Sequence, residues 1–229
     1  MKISASLMCA DSLNLERDVK ELELAGIDLW HVDIMDGVYV PNLAMNFASV
    51  KALKDISAVP IDVHLMVDRP ENYVSLCAEA GVSQLSFHLD QVKFPHRLIG
   101  EIKGLGMGAG AAINPACGLE SLSYVLDQVD YVLIMAVEPG FAGQKFIANT
   151  TAKIAKVKKL IDEQQLKLPI QVDGNINVDT AVKAFQAGAE IFVAGTSCVF
   201  TGRGSPGQNL RAFRRQVLAE IGKGGGGSE

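Results

Sequence analysis

No run of apolar residues in this chain reaches the roughly 20 residues that a membrane-spanning helix needs. Met1 to Leu7 lacks the basic stretch, apolar core and small-residue cleavage site of a secretory signal. Basic runs are missing too. Lys and Arg number 21 against 26 Asp and Glu, a formal net charge of -5, so nucleic acid is not an expected partner. Cysteine is scarce and scattered: Cys9, Cys77, Cys117 and Cys198 form no C-x-x-C pair, which argues against a disulfide framework and against a thiolate zinc site. Four small apolar thiols in a reducing cytosol are the expectation. These absences leave a cytoplasmic protein that works on neither a membrane nor a nucleic acid.

What is present is a long alternation of strand-like and helix-like segments. The 229 residues, 48% of them hydrophobic, are enough to bury a sizeable core. Strands are expected at Lys2–Leu7, Leu29–Met35, Ile61–Val67, Gln84–Leu89, Gly108–Ile113, Tyr131–Val137, Pro169–Asp173 and Ile191–Gly195. Most are short, apolar and bounded by Gly, Pro or Asp, as strands buried on both faces are. Amphipathic stretches lie between them. Ser12–Leu24 is expected to bring Leu13, Leu15, Val19, Leu22 and Leu24 near one face, with Asp11 or Ser12 as its cap. Ala148–Glu163 repeats the pattern with Ile154, Val157, Leu160 and Ile161. Ala25-Gly26, Ala80-Gly81 and Ala187-Gly188 mark helix ends that need a left-handed residue.

Eight such β-α units without a break in composition fit one closed (β/α)8 barrel over residues 1–222 better than an open doubly wound sheet. The tail Lys223–Glu229, rich in Gly, has the look of a flexible linker scar outside the fold. Gly104-x-Gly106-x-Gly108-x-Gly110 imitates a dinucleotide loop but precedes a strand instead of following one, which argues against that role.

A barrel enzyme keeps its chemistry at the C-terminal ends of its strands. Side chains alternate along a strand, so His31, Asp33 and Met35 share one face of the second strand, and Asp62, His64 and Met66 one face of the third. The seventh strand ends on Asp173. Two imidazoles and two carboxylates converging from three strands make a four-ligand site for a divalent metal, which would also relieve the cost of burying Asp33 beside Asp173. The plainer alternative is hydrogen-bonded core histidines with loop-capping carboxylates. Repetition at equivalent strand ends favours the metal. His88 ends the fourth strand, either reaching the site or serving as a satisfied core histidine, and His96 belongs on a helix surface.

A second theme is phosphate. The seventh and eighth strands run into Gly174-Asn175 and Gly195-Thr196-Ser197, loops where barrels bind phosphate on backbone N–H groups near a helix N-terminus. Neither loop holds Lys or Arg, so peptide dipoles and hydroxyls would hold the dianion. A third loop, Gly140-Phe141-Ala142-Gly143, could close over a substrate, although any one glycine suits a plain tight turn.

The segments His31–Asn42, Asp62–Val67, Glu138–Phe146 and Val172–Gly174, in this order and spacing, resemble those of the ribulose-phosphate 3-epimerase family over essentially Lys2 to Ile221. The resemblance implies a TIM barrel and an isomerase. It implies one divalent metal on His31, Asp33, His64 and Asp173, zinc first, with manganese, cobalt, iron or magnesium as alternatives. Asp33 and Asp173 become paired acid/base groups, Ser6 a substrate contact, and Met35, Met66 and Met135 residues lining the site, where periodicity alone reads ordinary core. The family acts on small ketose phosphates and forms dimers and hexamers, so a homo-oligomer is expected. Asn175 stands where pentulose-phosphate epimerases usually carry a second Gly, and Gly195-Thr196-Ser197 where they carry Gly-Ser-Ala. These variants, with Gly140-Phe141-Ala142-Gly143, are more similar to the branch acting on D-allulose 6-phosphate, which is the preferred substrate on this reading, with D-ribulose 5-phosphate as the alternative. More distant rivals are a metal-free phosphate-binding barrel isomerase or decarboxylase and a non-catalytic sugar-phosphate sensor. Retention of both carboxylates argues against the sensor.

Overall fold

The computed structural model describes residues 1–224. Eight parallel strands close into a barrel in the order of the sequence. They are β1 (Lys2–Ser6), β2 (Leu29–Met35), β3 (Ile61–Met66), β4 (Gln84–His88), β5 (Gly108–Ile113), β6 (Tyr131–Met135), β7 (Ile170–Asp173) and β8 (Ile191–Ala194). A helix follows each: α1 (Leu15–Leu24), α2 (Phe47–Ile56), α3 (Val74–Glu79), α4 (Pro95–Gly104), α5 (Glu120–Ser123), α6 (Thr150–Glu163), α7 (Val178–Gln186) and α8 (Pro206–Gly224). The strands match the expected ones within two residues at either end.

Two environments account for strands apolar on both faces. Ile3, Val32, Ile34, Val63, Leu65, Phe87, Val132, Ile134, Val172 and Phe192 belong to the large core shared with Val19, Leu22, Val50, Leu53, Ile99, Ile102, Ile154, Val157 and Phe213 of the helices. The alternate residues face the barrel axis, and many are polar and buried: Ser4, His31, Asp33, Asp62, His64, Ser86, His88 and Gln171. Burying so many polar groups is tolerable only where they bond one another.

Three of the helix-ending glycines foreseen, Gly26, Gly81 and Gly188, have φ of 78°, 78° and 111°. Gly106 (φ 83°) ends α4 in the same way, so half of the Gly104–Gly110 series terminates a helix and the other half lies in β5. Gly110 makes room for Tyr131: a Cβ there would sit 2.3 Å from the ring's Cζ.

Other expectations need correction. The first helix starts at Leu15 with Asn14 at its cap and no side-chain capping bond. Asp11 accepts instead from the Leu13 N–H and the Asn14 amide, in a local turn that holds the helix off by a few residues. Leu13 therefore precedes the helix and is 94% exposed, and Leu24 falls off the buried stripe at 86%. Val19 and Leu22 carry that face, with Leu15 half-buried. In the tail, Lys223 and Gly224 continue α8. The rest of the linker-like stretch lies outside the described residues.

Candidate active site

The register of β2 against β3 brings the four polar residues of those strands together. Pairing sets His31 beside Asp62, Asp33 beside His64 and Met35 beside Met66. The β6–β7 register sets Asp173 beside Met135. Because the strands are parallel and in phase, each pair lies at one level of the barrel, and Asp33, His64 and Asp173 reach its C-terminal mouth together.

One ligand atom from each of His31, Asp33, His64 and Asp173 lies within 4.8 Å of all the others. His31 Nε2 is 3.4 Å from Asp33 Oδ1 and 3.9 Å from Asp173 Oδ2. His64 Nδ1 is 3.2 Å from Asp33 Oδ1. The two histidines are fully buried, Asp33 nearly so, and Asp173 keeps 19% of its side chain open to the mouth. His31 Nε2 is buried with no hydrogen-bond partner. A bare imidazole nitrogen at the focus of two carboxylates and a second imidazole is a donor set that suits a divalent cation.

Charges in the protein alone push the carboxylates apart. Burial works to raise the Asp33 pKa, but the charge and hydrogen bonds of His31 and His64 outweigh it and hold Asp33 below the usual carboxylate range. Asp173 is pushed up to about 6, first by burial and then by the negative charge of Asp33, against the opposing pull of His31. His31 is raised well above an ordinary imidazole, as Asp33 and Asp62 overcome the effect of burial. His88 is lowered well below by burial and by His64 beside it.

Above this cluster opens a cleft of about 560 Å³. Of the residues singled out in the sequence, Ser6, Asp33, Met35, Met66, Met135, Asp173, the Gly140–Gly143 loop, Gly174, Asn175 and Gly195–Ser197 all line it. His31 and His64 lie beneath its floor. Ser6 donates to Asp33 Oδ2 at 3.0 Å. No Lys or Arg lines the cleft among the described residues. Gly174 (φ 120°) is needed for close approach, since a Cβ there would lie 2.8 Å from the Val137 N. Asn175 occupies the left-handed region (φ 48°) without glycine's help, and its Oδ1 accepts from Ser197 Oγ at 2.6 Å, joining the two candidate phosphate loops.

Several members of the site escaped the sequence reading. Met8 and Cys9 line the cleft from a turn after β1. Asn42 Nδ2 donates to the Gly140 carbonyl at 2.7 Å, fastening the loop after β2 to the loop after β6 across the mouth. Asn42 closes the long second-strand motif, so the signal was present without a role attached. His88 reaches the centre indirectly, its Nε2 2.8 Å from His64 Nε2. His96 is exposed on α4, with Nδ1 3.0 Å from Gln128 Oε1.

Comparison with known proteins gives the family. Residues 2–200 match the family model described as the ribulose-phosphate 3 epimerase family. A ribulose-phosphate 3-epimerase of Methanocaldococcus jannaschii is 41% identical over 223 residues, covering 97% of this chain and 94% of the relative. The Bacillus subtilis enzyme of the same name is 40% identical over 198 residues (86% and 91%). The chloroplastic ribulose-5-phosphate-3-epimerase of Arabidopsis thaliana is 42% identical over 197 residues (85% and 70%). Among solved structures, a tryptophan synthase alpha-subunit from Pyrococcus furiosus superposes with a TM-score of 0.69 at 12% identity, covering 96% of this chain and 97% of that one, a likeness of fold alone.

Proposed function

This chain belongs to the ribulose-phosphate 3-epimerase family, and on that premise we propose that it interconverts D-ribulose 5-phosphate and D-xylulose 5-phosphate by moving a proton at carbon 3. It is an isomerase acting on a carbohydrate phosphate. The relatives described above carry the pentulose name, which moves the substrate from the hexulose phosphate preferred on loop motifs to the pentulose phosphate. Two of the residues that carried the hexulose preference have a local account: Ser197 Oγ donates to Asn175 Oδ1 across the two loops.

The observation that carries the mechanism is the pair of carboxylates, Asp33 and Asp173, brought from β2 and β7 to one mouth beside the two imidazoles and open to the same cleft. Asp33 takes the proton from carbon 3 on one face of the sugar. Asp173 returns a proton to the other face, and the configuration inverts. In the reverse direction the roles exchange. Two groups are necessary because one base returning its own proton would only restore the substrate. Ser6 holds the Asp33 carboxylate in place. A divalent cation held by His31, Asp33, His64 and Asp173 would polarise the ketone and stabilise negative charge developing on its oxygen.

Met35, Met66 and Met135 form an aprotic wall over the reacting carbon and exclude water. The loops Gly174–Asn175 and Gly195–Ser197 bind the phosphate through backbone N–H groups, and the Gly140–Gly143 loop, tied down by Asn42, covers the sugar.

The test compares kcat/KM on D-ribulose 5-phosphate and D-allulose 6-phosphate, before and after chelation. The pentulose is expected to be the better substrate, with activity lost on chelation and recovered on adding zinc back. A higher kcat/KM on the hexulose phosphate would reverse the substrate assignment. Full activity after proven metal removal would remove the cation from the mechanism.

A further inference from the structure

Asp62 takes no part in the chemistry above, yet it is among the most heavily bonded side chains in the protein. It is fully buried inside the barrel. Its Oδ2 lies 2.7 Å from His31 Nδ1 and accepts from Gln171 Nε2 at 2.6 Å. Its Oδ1 accepts from the Tyr131 hydroxyl at 2.7 Å and from Gln84 Nε2 at 3.1 Å. Strands β4, β6 and β7 thus each send a donor to one carboxylate on β3. Tyr131 can reach it only because residue 110 is glycine.

The hydrogen on His31 follows from this arrangement. An ionised carboxylate only accepts, so the imidazole nitrogen facing it must carry the hydrogen. Gln171 Nε2 gives one of its two hydrogens to Oδ2 and also passes 3.3 Å from His31 Nδ1, but the 2.7 Å approach of Nδ1 to the charged Oδ2 is a hydrogen bond only with the hydrogen on Nδ1. With Nδ1 held protonated by Asp62, Nε2 is the nitrogen that gives up its hydrogen when a cation binds and presents the lone pair. Nε2 is the buried atom without a hydrogen-bond partner that faces Asp33 and Asp173.

We propose that Asp62 is a positioning residue: it fixes the Nδ1–H tautomer and the ring orientation of His31, and so sets how tightly the four-residue centre holds its divalent cation. A metal-ligating imidazole whose second nitrogen donates to a carboxylate is held in orientation and made a stronger ligand. Asp62 makes no hydrogen bond to the other three ligating side chains, so its direct bond to the centre is the one to His31. The inference rests on the cation described under Proposed function.

The experiment titrates metal-free wild type and Asp62→Asn with zinc against a chromophoric chelator, with circular dichroism to follow folding. The variant is expected to stay folded and to bind zinc about 10- to 100-fold more weakly. Equal affinities would overturn the role of Asp62 and leave the metal centre standing. Failure of the wild type itself to bind zinc would overturn both. Nitrogen-15 histidine spectra of the zinc-loaded wild type decide the matter even if the variant does not fold. They should show the His31 hydrogen on Nδ1 and the metal on Nε2, and the opposite assignment would sink the proposal.

Discussion

Asp173 is the residue whose environment makes the sharpest prediction. In the metal-free protein its pKa lies near 6 against an ordinary 3.8, chiefly because it is buried and faces Asp33. The folded state then binds more protons than the unfolded state between those values. The contribution of Asp173 to stability is fullest below the unfolded value and falls as pH rises through the window from about 4 to 6. Two pKa units correspond to at most about 3 kcal/mol. Metal-free Asp173→Asn, which mimics the protonated acid, is expected to be more stable than metal-free wild type at pH 8, with the gap closing toward pH 4. Denaturant unfolding at both pH values checks this, and a gap that does not change with pH would contradict it. At this scale the residues that cluster at the mouth were legible because strand alternation marks every second residue. Asp62 lay on the marked face too. Its role was hidden because partners from β4, β6 and β7 are fixed by barrel register, which no single strand encodes.

The elements were legible for a related reason. In a parallel barrel both faces of a strand are buried, so short apolar runs bounded by Gly, Pro and Asp stand out. The start of α1 was misread because Asp11 bonds the turn instead of the helix, and apolar spacing did not reveal that Leu13 and Leu24 face solvent. Packing between elements was less visible still. Gly104–Gly110 read as a curious repeat, whereas Gly110 is a slot on β5 for the Tyr131 ring of β6. Gly110→Ala should therefore destabilise the barrel by about 1–3 kcal/mol, since a Cβ at 2.3 Å from the ring forces strand or ring to shift. The cost should shrink when Tyr131 is replaced by Leu in the same chain. Thermal or denaturant unfolding of the single and double variants gives the coupling, and simple additivity would show that the slot is not the cause.

For the molecule as a whole, the barrel acts as a ring that carries residues distant in sequence to one mouth. Ser6 comes from β1, Asp33 from β2, His64 from β3 and Asp173 from β7, and closure of β8 on β1 completes the circle. The family motifs made this architecture readable, while the substrate preference drawn from Asn175, Gly195-Thr196-Ser197 and the Gly140–Gly143 loop was not sustained by the relatives. Asn175 and Ser197 bond to each other, so their identity reports on how the loops are joined as well as on what they bind. The central claim is that opposed carboxylates take a proton from one face of carbon 3 and deliver one to the other. The direct measurement is turnover of D-ribulose 5-phosphate in deuterium oxide, with product and recovered substrate analysed early in the reaction. The product should carry deuterium at carbon 3 while the recovered substrate stays unlabelled. Deuterium entering the recovered substrate as fast as the product would mean that one base serves both faces.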